Sequence, residues 1–371
     1  SRFLVGASPA EDGHATECFN GRLADVSVFG ASPKDPILRW DFSKLLDSDI
    51  AVDISGAGRH GRLVNRPTRA VLGPRWDKRT LRWADDAAMW NALHLHDDDL
   101  DDARWDTDFA IEAPAESGIY AVRLSREDES YYVPFYVRPG PKNKRVLFVA
   151  PTNTYLAYGN EHLWEGERGE AHQKMMSIPI VLDQAERTLQ QVPSLGRSLY
   201  DRHSDGSGVI YASRLRPIPN MQPNYINWLA GGPRHFSGDF FITGWLDSIG
   251  VEFDVATDED VDRFGIELLE RYEVVLTGSH PEYPTPAAFD AFEAHVGGGG
   301  KLMYLGANGF FWVTTYTSGQ RTAIEVRRGY SAQRNWTSHP AELYHSSTGG
   351  IGGGPPHCGR AQDPPPRVGL A

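Results

Sequence analysis

Two hydrophobic periods divide the chain. Up to about residue 139 the apolar positions alternate. Gly21-Arg22-Leu23-Ala24-Asp25-Val26-Ser27-Val28-Phe29 is one such stretch. Gly118-Ile119-Tyr120-Ala121-Val122-Arg123-Leu124 and Tyr131-Tyr132-Val133-Pro134-Phe135-Tyr136-Val137 are two more, separated by the acidic turn Arg126-Glu127-Asp128-Glu129. Alternation predicts half-buried strands, and two strands on a short polar connection predict a hairpin. From Arg145 the pattern changes. Short apolar runs at Arg145–Ala150, Val251–Val255, Tyr272–Leu276 and Lys301–Leu305 alternate with helix-like segments at about 238–249, 259–271 and 285–296, and Gly297-Gly298-Gly299-Gly300 stops the last helix before its strand. This order predicts a parallel sheet with helices on both faces.

The expected organisation is multidomain, α/β plus β. Residues 1–70 read as all-β, 71–139 as a Trp-rich connector (Trp76, Trp83, Trp90) with a small β-sandwich, 140–348 as the α/β core, and 349–371 as an irregular Gly/Pro-rich tail. Arg138-Pro139-Gly140-Pro141 is the linker into the core. The connection from about 151 to 237 is too long for a plain crossover, and long excursions from a compact sheet are usually functional or disordered. The first residue is not Met and the opening residues already read as a strand, so the chain is expected to begin within a domain and to be truncated.

Composition narrows the classes. With 371 residues, 40% hydrophobic and 23% charged, the chain is of ordinary globular type, long enough for two or three domains. A net charge of -12 with scattered arginines argues against a nucleic-acid partner. Cys18 and Cys358 form no CxxC pair, which excludes zinc-knuckle and thioredoxin-like motifs and fits a reducing, cytoplasmic location. No apolar run approaches the roughly 20 residues that span a bilayer, and no signal peptide is visible.

The run Val274-Val275-Leu276-Thr277-Gly278-Ser279-His280-Pro281-Glu282-Tyr283 is the most informative for chemistry. It reads as a buried strand whose C-terminal end carries an imidazole and a carboxylate two residues apart. In open α/β sheets ligands bind at that edge, so metal ligation or acid–base chemistry is expected there. Two other segments would meet it: Pro151–Glu161 after the first strand, and Ser198–Val209 within the long excursion.

These segments resemble the large (β) subunit of N,N-dimethylformamidase and its relatives. The residues that carry the likeness are Leu156-Ala157-Tyr158-Gly159-Asn160-Glu161, Tyr200-Asp201-Arg202-His203 with Asp205-Gly206, Arg216-Pro217-Ile218, Asp254-Val255-Ala256-Thr257, Leu276 to Tyr283, and Ala307-Asn308-Gly309. Upstream, Arg39-Trp40-Asp41-Phe42-Ser43, Gly58-Arg59-His60-Gly61-Arg62 and Pro134-Phe135-Tyr136-Val137 fit as well. The resemblance implies a glutamine-amidotransferase/flavodoxin-like parallel sheet preceded by a lectin-like fragment and a small Ig-like unit. It implies a mononuclear, ferric iron held by Tyr158, Tyr200 and Glu282, with His280 in support, Asn308 and His203 near the substrate, and Tyr155 as the rival for the place of Tyr158. The implied activity is hydrolysis of a small N-substituted amide, with a small partner subunit and association of large subunits. Phenolate and carboxylate are hard donors that suit such an ion.

Each residue has a plainer reading. Tyr158 and Tyr200 also fit aromatics at a core edge, His280 before Pro281 fits a strand–loop junction, and Glu282 fits an acid ahead of a helix N-terminus. Asn308 fits a turn as well as a pocket amide. A non-catalytic carbohydrate- or protein-binding module, an inactive truncated relative, is the alternative function. A thiol hydrolase on the same sheet is set aside, because neither cysteine lies in the α/β core.

Overall fold

The structure, a computed structural model, describes residues 3–354 apart from 12–13, 32–33, 99, 101–109, 128, 178, 318–320 and 330–335. Asp128 of the hairpin turn, Cys358 and most of the expected tail therefore lie outside the described residues. The described residues form two compact units: those within 1–106, 193–217 and 315–354, and those within 107–192 and 218–314. The sequence pattern had placed 193–217 and 315–348 in the α/β core; both belong to the first unit.

The second unit is built on four parallel strands, β1 (Val146–Ala150), β2 (Phe253–Thr257), β3 (Val274–Thr277) and β4 (Lys301–Met303), in the order β2-β1-β3-β4. Val146 of β1 stands in register with Phe253 on one side and Val274 on the other. Successive side chains of a strand point to opposite faces, so a strand buried on both sides reads as a continuous apolar run. Leu147 and Val149 pack on one face with Val275, Phe289, Phe292 and Phe310, while Phe148 and Ala150 pack on the other with Val255, Leu276, Phe236 and Leu246. Among the described residues Gly118–Arg126 and Glu129–Val137 form a two-stranded sheet of their own. Their apolar residues Ile119 and Tyr136 pack against the second of these faces, and Val255 N donates to Ser117 Oγ at 2.9 Å, which occupies the edge strand β2.

The helices start where their caps dictate. Thr257 and Asp260 form a reciprocal capping box at the start of α3 (Asp258–Phe264), and Thr285 caps α4 (Pro286–Gly297) with Pro286 in the first turn. The helix expected over 259–271 is two pieces, because Gly265 takes φ 57 and ψ -140, which breaks the ladder before Ile266–Leu269. Helix α2 (Phe236–Ser248) precedes β2, and the short α1 (Thr152–Ala157) follows β1. Pro151 offers α1 no side-chain cap; Asp258 takes that role by accepting from Asn153 N at 2.9 Å.

Burial raises the Asp258 carboxyl to about 7. Between its ordinary value and that one, the folded chain keeps a proton that the unfolded chain releases, so this carboxyl's own contribution to stability falls as pH rises from about 4 to 7. Relative to the wild type, Asp258→Asn is expected to gain stability progressively across that range in urea midpoints; a difference from the wild type that stays constant with pH would contradict it.

The first unit is β-rich. Gly21–Ala24, Ala92–Leu95 and Thr68–Val71 make one sheet, Ser27–Phe29, Pro36–Asp41, Ile50–Asp53 and Gly61–Arg62 a second, and Tyr211–Ser213, Ala323–Val326 and Thr314–Tyr316 a third. A buried ion pair joins its distant segments. Arg327 Nε donates to Glu325 Oε1 at 2.7 Å and Arg327 also donates to Arg69 O at 2.6 Å and Glu342 O at 3.0 Å. Glu325 accepts in addition from Ser346 N at 2.8 Å. Both side chains are wholly buried. Residues 349–354, expected to open an irregular tail, pack here too: Gly349 N donates to His345 O and Gly352 N to Leu343 O, and Gly352 is buried. Removing one partner of a buried pair strands the other charge, at about 3–5 kcal/mol. Arg327→Met is expected to lower stability by about that amount in urea unfolding; a loss under about 1 kcal/mol would contradict this role.

Candidate metal centre

Strand β1 is followed in the sheet order by β2 on one side, and β3 by β4 on the other. Where the order reverses, the connections part and leave a crevice beyond the strands' C-terminal ends. The segments that enter it are Pro151–Tyr158 after β1 and Gly278–Tyr283 after β3.

Three elements fasten the second segment. From α1, Thr154 Oγ1 donates to His280 O at 2.7 Å and accepts from Glu282 N at 3.1 Å, while Asn153 Nδ2 donates to Tyr283 O at 3.0 Å. From α2, Asp239 accepts from Ser279 N at 2.6 Å and from Tyr155 Oη. After β4, Ala307 N donates to Ser279 O at 3.2 Å, Phe310 N to Pro281 O at 2.8 Å and Trp312 N to Glu282 O at 2.9 Å. Gly278 is the point of closest approach, because a Cβ there would overlap Asp239 Oδ2 and Pro151 Cδ.

The result is a buried cluster of unlike groups on one carboxylate. Tyr158 Oη donates to Glu282 Oε2 at 2.9 Å, and His280 Nε2 lies 3.3 Å from the same oxygen. Glu282 is 3% exposed and Tyr158 6%. Asn308 Nδ2 lies 3.3 Å from His280 Nε2. Burial, with the Arg234 guanidinium nearby, lowers His280 to about 4, so its ring is neutral at neutral pH. The two neighbours of Nε2 favour opposite tautomers: Glu282 accepts and selects the Nε2–H form, whereas the Asn308 amide donates and selects Nδ1–H. Asn308 itself takes φ 49, the left-handed region that asparagine tolerates, so the turn reading and the pocket reading both describe it.

Tyr155 and Tyr158 have different destinations. Tyr155 Oη is committed to Asp239, and burial beside that carboxylate holds its pKa well above the ordinary value. Only Tyr158 of the two contacts Glu282 in the hydrogen bonds described. Tyr200 and His203 belong to the other compact unit. There Tyr200 is half-buried with the Arg328 guanidinium 4.4 Å above its ring, and His203 Nδ1 pairs with Asp98 Oδ1 at 2.7 Å.

Two neighbours of Tyr158 were not legible in the pattern. His235 precedes α2 with φ 53 and ψ -119, a strained backbone for a residue with a Cβ. Its ring packs 4.0 Å from Tyr158 and 5.2 Å from His280, and its buried Nε2 has no hydrogen-bond partner among the described residues. Arg234 lies 5.0 Å over the Tyr158 ring. The only signal for either was the breaker run Gly231-Gly232-Pro233 ahead of a helix. A cavity of about 520 Å³ lined by Ile119, Lys144, Phe240 and Phe253 opens elsewhere, beside the N-terminal end of β2; it touches none of these groups.

A separate group of potential ligands lies in the first unit. His94, His96 and Asp205 bring ring nitrogens and a carboxylate oxygen within 4.8 Å of one another, so a metal ion can be held there.

A parallel sheet that gathers phenol, imidazole and carboxylate at its switch point is the layout of an α/β domain that binds a ligand or metal there. The family described as "N,N-dimethylformamidase beta subunit-like, C-terminal" matches residues 68–365, and the chain belongs to that family. It is 36% identical over 379 residues to the N,N-dimethylformamidase beta subunit of Paracoccus aminophilus, an alignment covering 94% of this chain and 49% of the relative. The N,N-dimethylformamidase beta subunit of an Alcaligenes species matches with the same identity and coverage. The chain thus spans about half the length of these curated relatives.

Overpacking a tight site costs about 1–3 kcal/mol. Gly278→Ala is expected to lower stability by that amount in urea unfolding. An unchanged urea midpoint would contradict the role given to Gly278.

Proposed function

We propose that this chain carries the iron centre of an amide hydrolase. The observation that carries the reading is the Tyr158 Oη–Glu282 Oε2 contact at 2.9 Å, with His280 Nε2 on the same oxygen, at the sheet's switch point. Tyr158 and Glu282 are the ligands that this geometry supports, and Tyr200 is the third that the resemblance implies. The donor set fits a ferric ion, since phenolate and carboxylate oxygens are hard and anionic. A free tyrosine ionises near ~10, so a nearby cation is needed to release the Tyr158 proton at neutral pH. The orphaned Nε2 of His235 beside Tyr158 adds a further unused donor.

An iron ion bound there would act as a Lewis acid on an amide carbonyl and lower the pKa of a water. The chain's own residues do the rest. His280, a neutral imidazole, either holds the Glu282 carboxylate through Nε2–H or, in the Nδ1–H form that Asn308 Nδ2 selects, presents Nε2 as a proton acceptor. Asn308 Nδ2 orients the same ring. Burial of Tyr158, Glu282 and His280 keeps bulk water from competing for their lone pairs. The substrate class is a small N-substituted amide of the dimethylformamide kind, cleaved to acid and amine. The relatives are named as beta subunits, which supports a further subunit as partner; association of large subunits is part of the same proposal.

Ferric iron added to the metal-stripped chain is expected to produce a visible phenolate-to-iron charge-transfer band, with release of dimethylamine from N,N-dimethylformamide. Tyr158→Phe and Glu282→Gln are expected to lose iron and colour. A colourless wild type that retains no iron would contradict the metal reading. Coloured, iron-loaded protein that releases no amine would contradict the hydrolase reading alone.

A further inference from the structure

The site above leaves a second set of metal-type donors unused. His94 lies in strand Ala92–Leu95, the central strand of its three-stranded sheet, where it is in register with Arg22 and Thr68. His96 follows two residues on, which in extended chain puts both imidazoles on one face. Their rings are 4.1 Å apart. Asp205 comes from the loop after Tyr200, which is closed by the bridge between Arg202 and Gly208. One oxygen of Asp205 is occupied: Oδ1 accepts from Ser207 N at 2.8 Å and from Ser207 Oγ at 2.6 Å. The other, Oδ2, faces the imidazoles, 2.7 Å from His94 Nε2 and 3.9 Å from His96 Nε2.

We infer that His94, His96 and Asp205 form a structural site for a divalent transition metal of the zinc class, one that fastens the loop bearing Tyr200 to the central strand. Metal–ligand bonds of ~2.0–2.1 Å at a tetrahedral angle put ligand atoms roughly 3.3 Å apart. The two contacts to Oδ2, 2.7 and 3.9 Å, straddle that value, and all three ligand atoms lie within 4.8 Å of one another, so rotation of the side chains brings them to the coordinating separation. Two imidazoles with one carboxylate suit zinc or cobalt(II), whereas the oxygen-rich set at Tyr158 and Glu282 suits ferric iron. The supports around the ligands fit the role. Ser207 fixes the carboxylate, and the His203 ring stacks on His96 at 3.6 Å and 7° while its Nδ1 is held by Asp98. His96 and His94 side chains are 0% and 12% exposed and that of Asp205 27%, which leaves one approach for the ion and a water.

The test is zinc and cobalt binding by the full chain after chelation and dialysis, read as metal content and as the visible d–d bands of cobalt(II). The wild type is expected to bind stoichiometric zinc and to show the intense bands of a tetrahedral cobalt site. His94→Gln, which keeps a polar side chain, and Asp205→Asn, at the most exposed ligand, are both expected to lose the ion with the fold intact by circular dichroism. Glu282→Gln is expected to retain it. A wild type without zinc would overturn the inference. So would zinc lost in Glu282→Gln yet kept in both His94→Gln and Asp205→Asn, since the ion would then belong to the other centre.

Discussion

A carboxylate buried to 3% exposure is the constraint around which the second unit is arranged. An isolated buried carboxylate costs several kcal/mol in lost hydration. Glu282 therefore has to meet donors, and its Oε2 meets Tyr158 Oη and the His280 ring. Supplying them requires the backbone of Ser279–Tyr283 to pass between α1, α2 and the segment after β4, each of which bonds to it. Gly278 follows from the same demand, since only a residue without a Cβ fits between Pro151 and Asp239. The geometry of the centre and the packing of the sheet's C-terminal edge are one problem with one solution.

The two units manage buried charge differently. In the first, Glu325 is matched by Arg327; the guanidinium also donates to backbone carbonyls and the carboxylate accepts from backbone and serine donors, so the pair holds distant segments together. In the second, Glu282 Oε2 lies against the Tyr158 hydroxyl and the His280 ring, with His235 and the Arg234 guanidinium packed around Tyr158. Phenol, imidazole and carboxylate are there gathered at one sheet edge rather than closed into a single ion pair.

Much of the second unit was legible because its signals are local. Strands β1 to β4 are short, mainly apolar runs, broken by Asp254 in β2 and opened by Lys301 in β4, and the helices between them carry caps such as Thr257 and Thr285. Observed and expected ends differ by about two residues, as at Val251–Val255 against Phe253–Thr257. Tyr158, His280, Glu282 and Asn308 fall together because each sits just beyond a strand of one parallel sheet. What was not legible is non-local. Tyr211–Ser213 pairs with Ala323–Val326 across more than a hundred residues. The buried Glu325–Arg327 pair with its bond to Arg69 O, the Arg22–Glu342 ion pair, and Trp90 Nε1 donating to Ala341 O tie described residues of the last stretch to the first unit. His235 lies in a Gly-Gly-Pro loop where no period marks it, and its importance rests on a backbone strain that sequence does not display. His94 and His96 carried the two-residue spacing of one strand face, but their partner Asp205 comes from a loop far along the chain.

The central claim is that Tyr158 and Glu282 bind iron. It is tested most directly by anomalous scattering at the iron edge from crystals of the iron-loaded chain. The account predicts a peak within bonding distance of Tyr158 Oη and Glu282 Oε2. A peak at His94, His96 and Asp205 alone, or none in the protein, would contradict it.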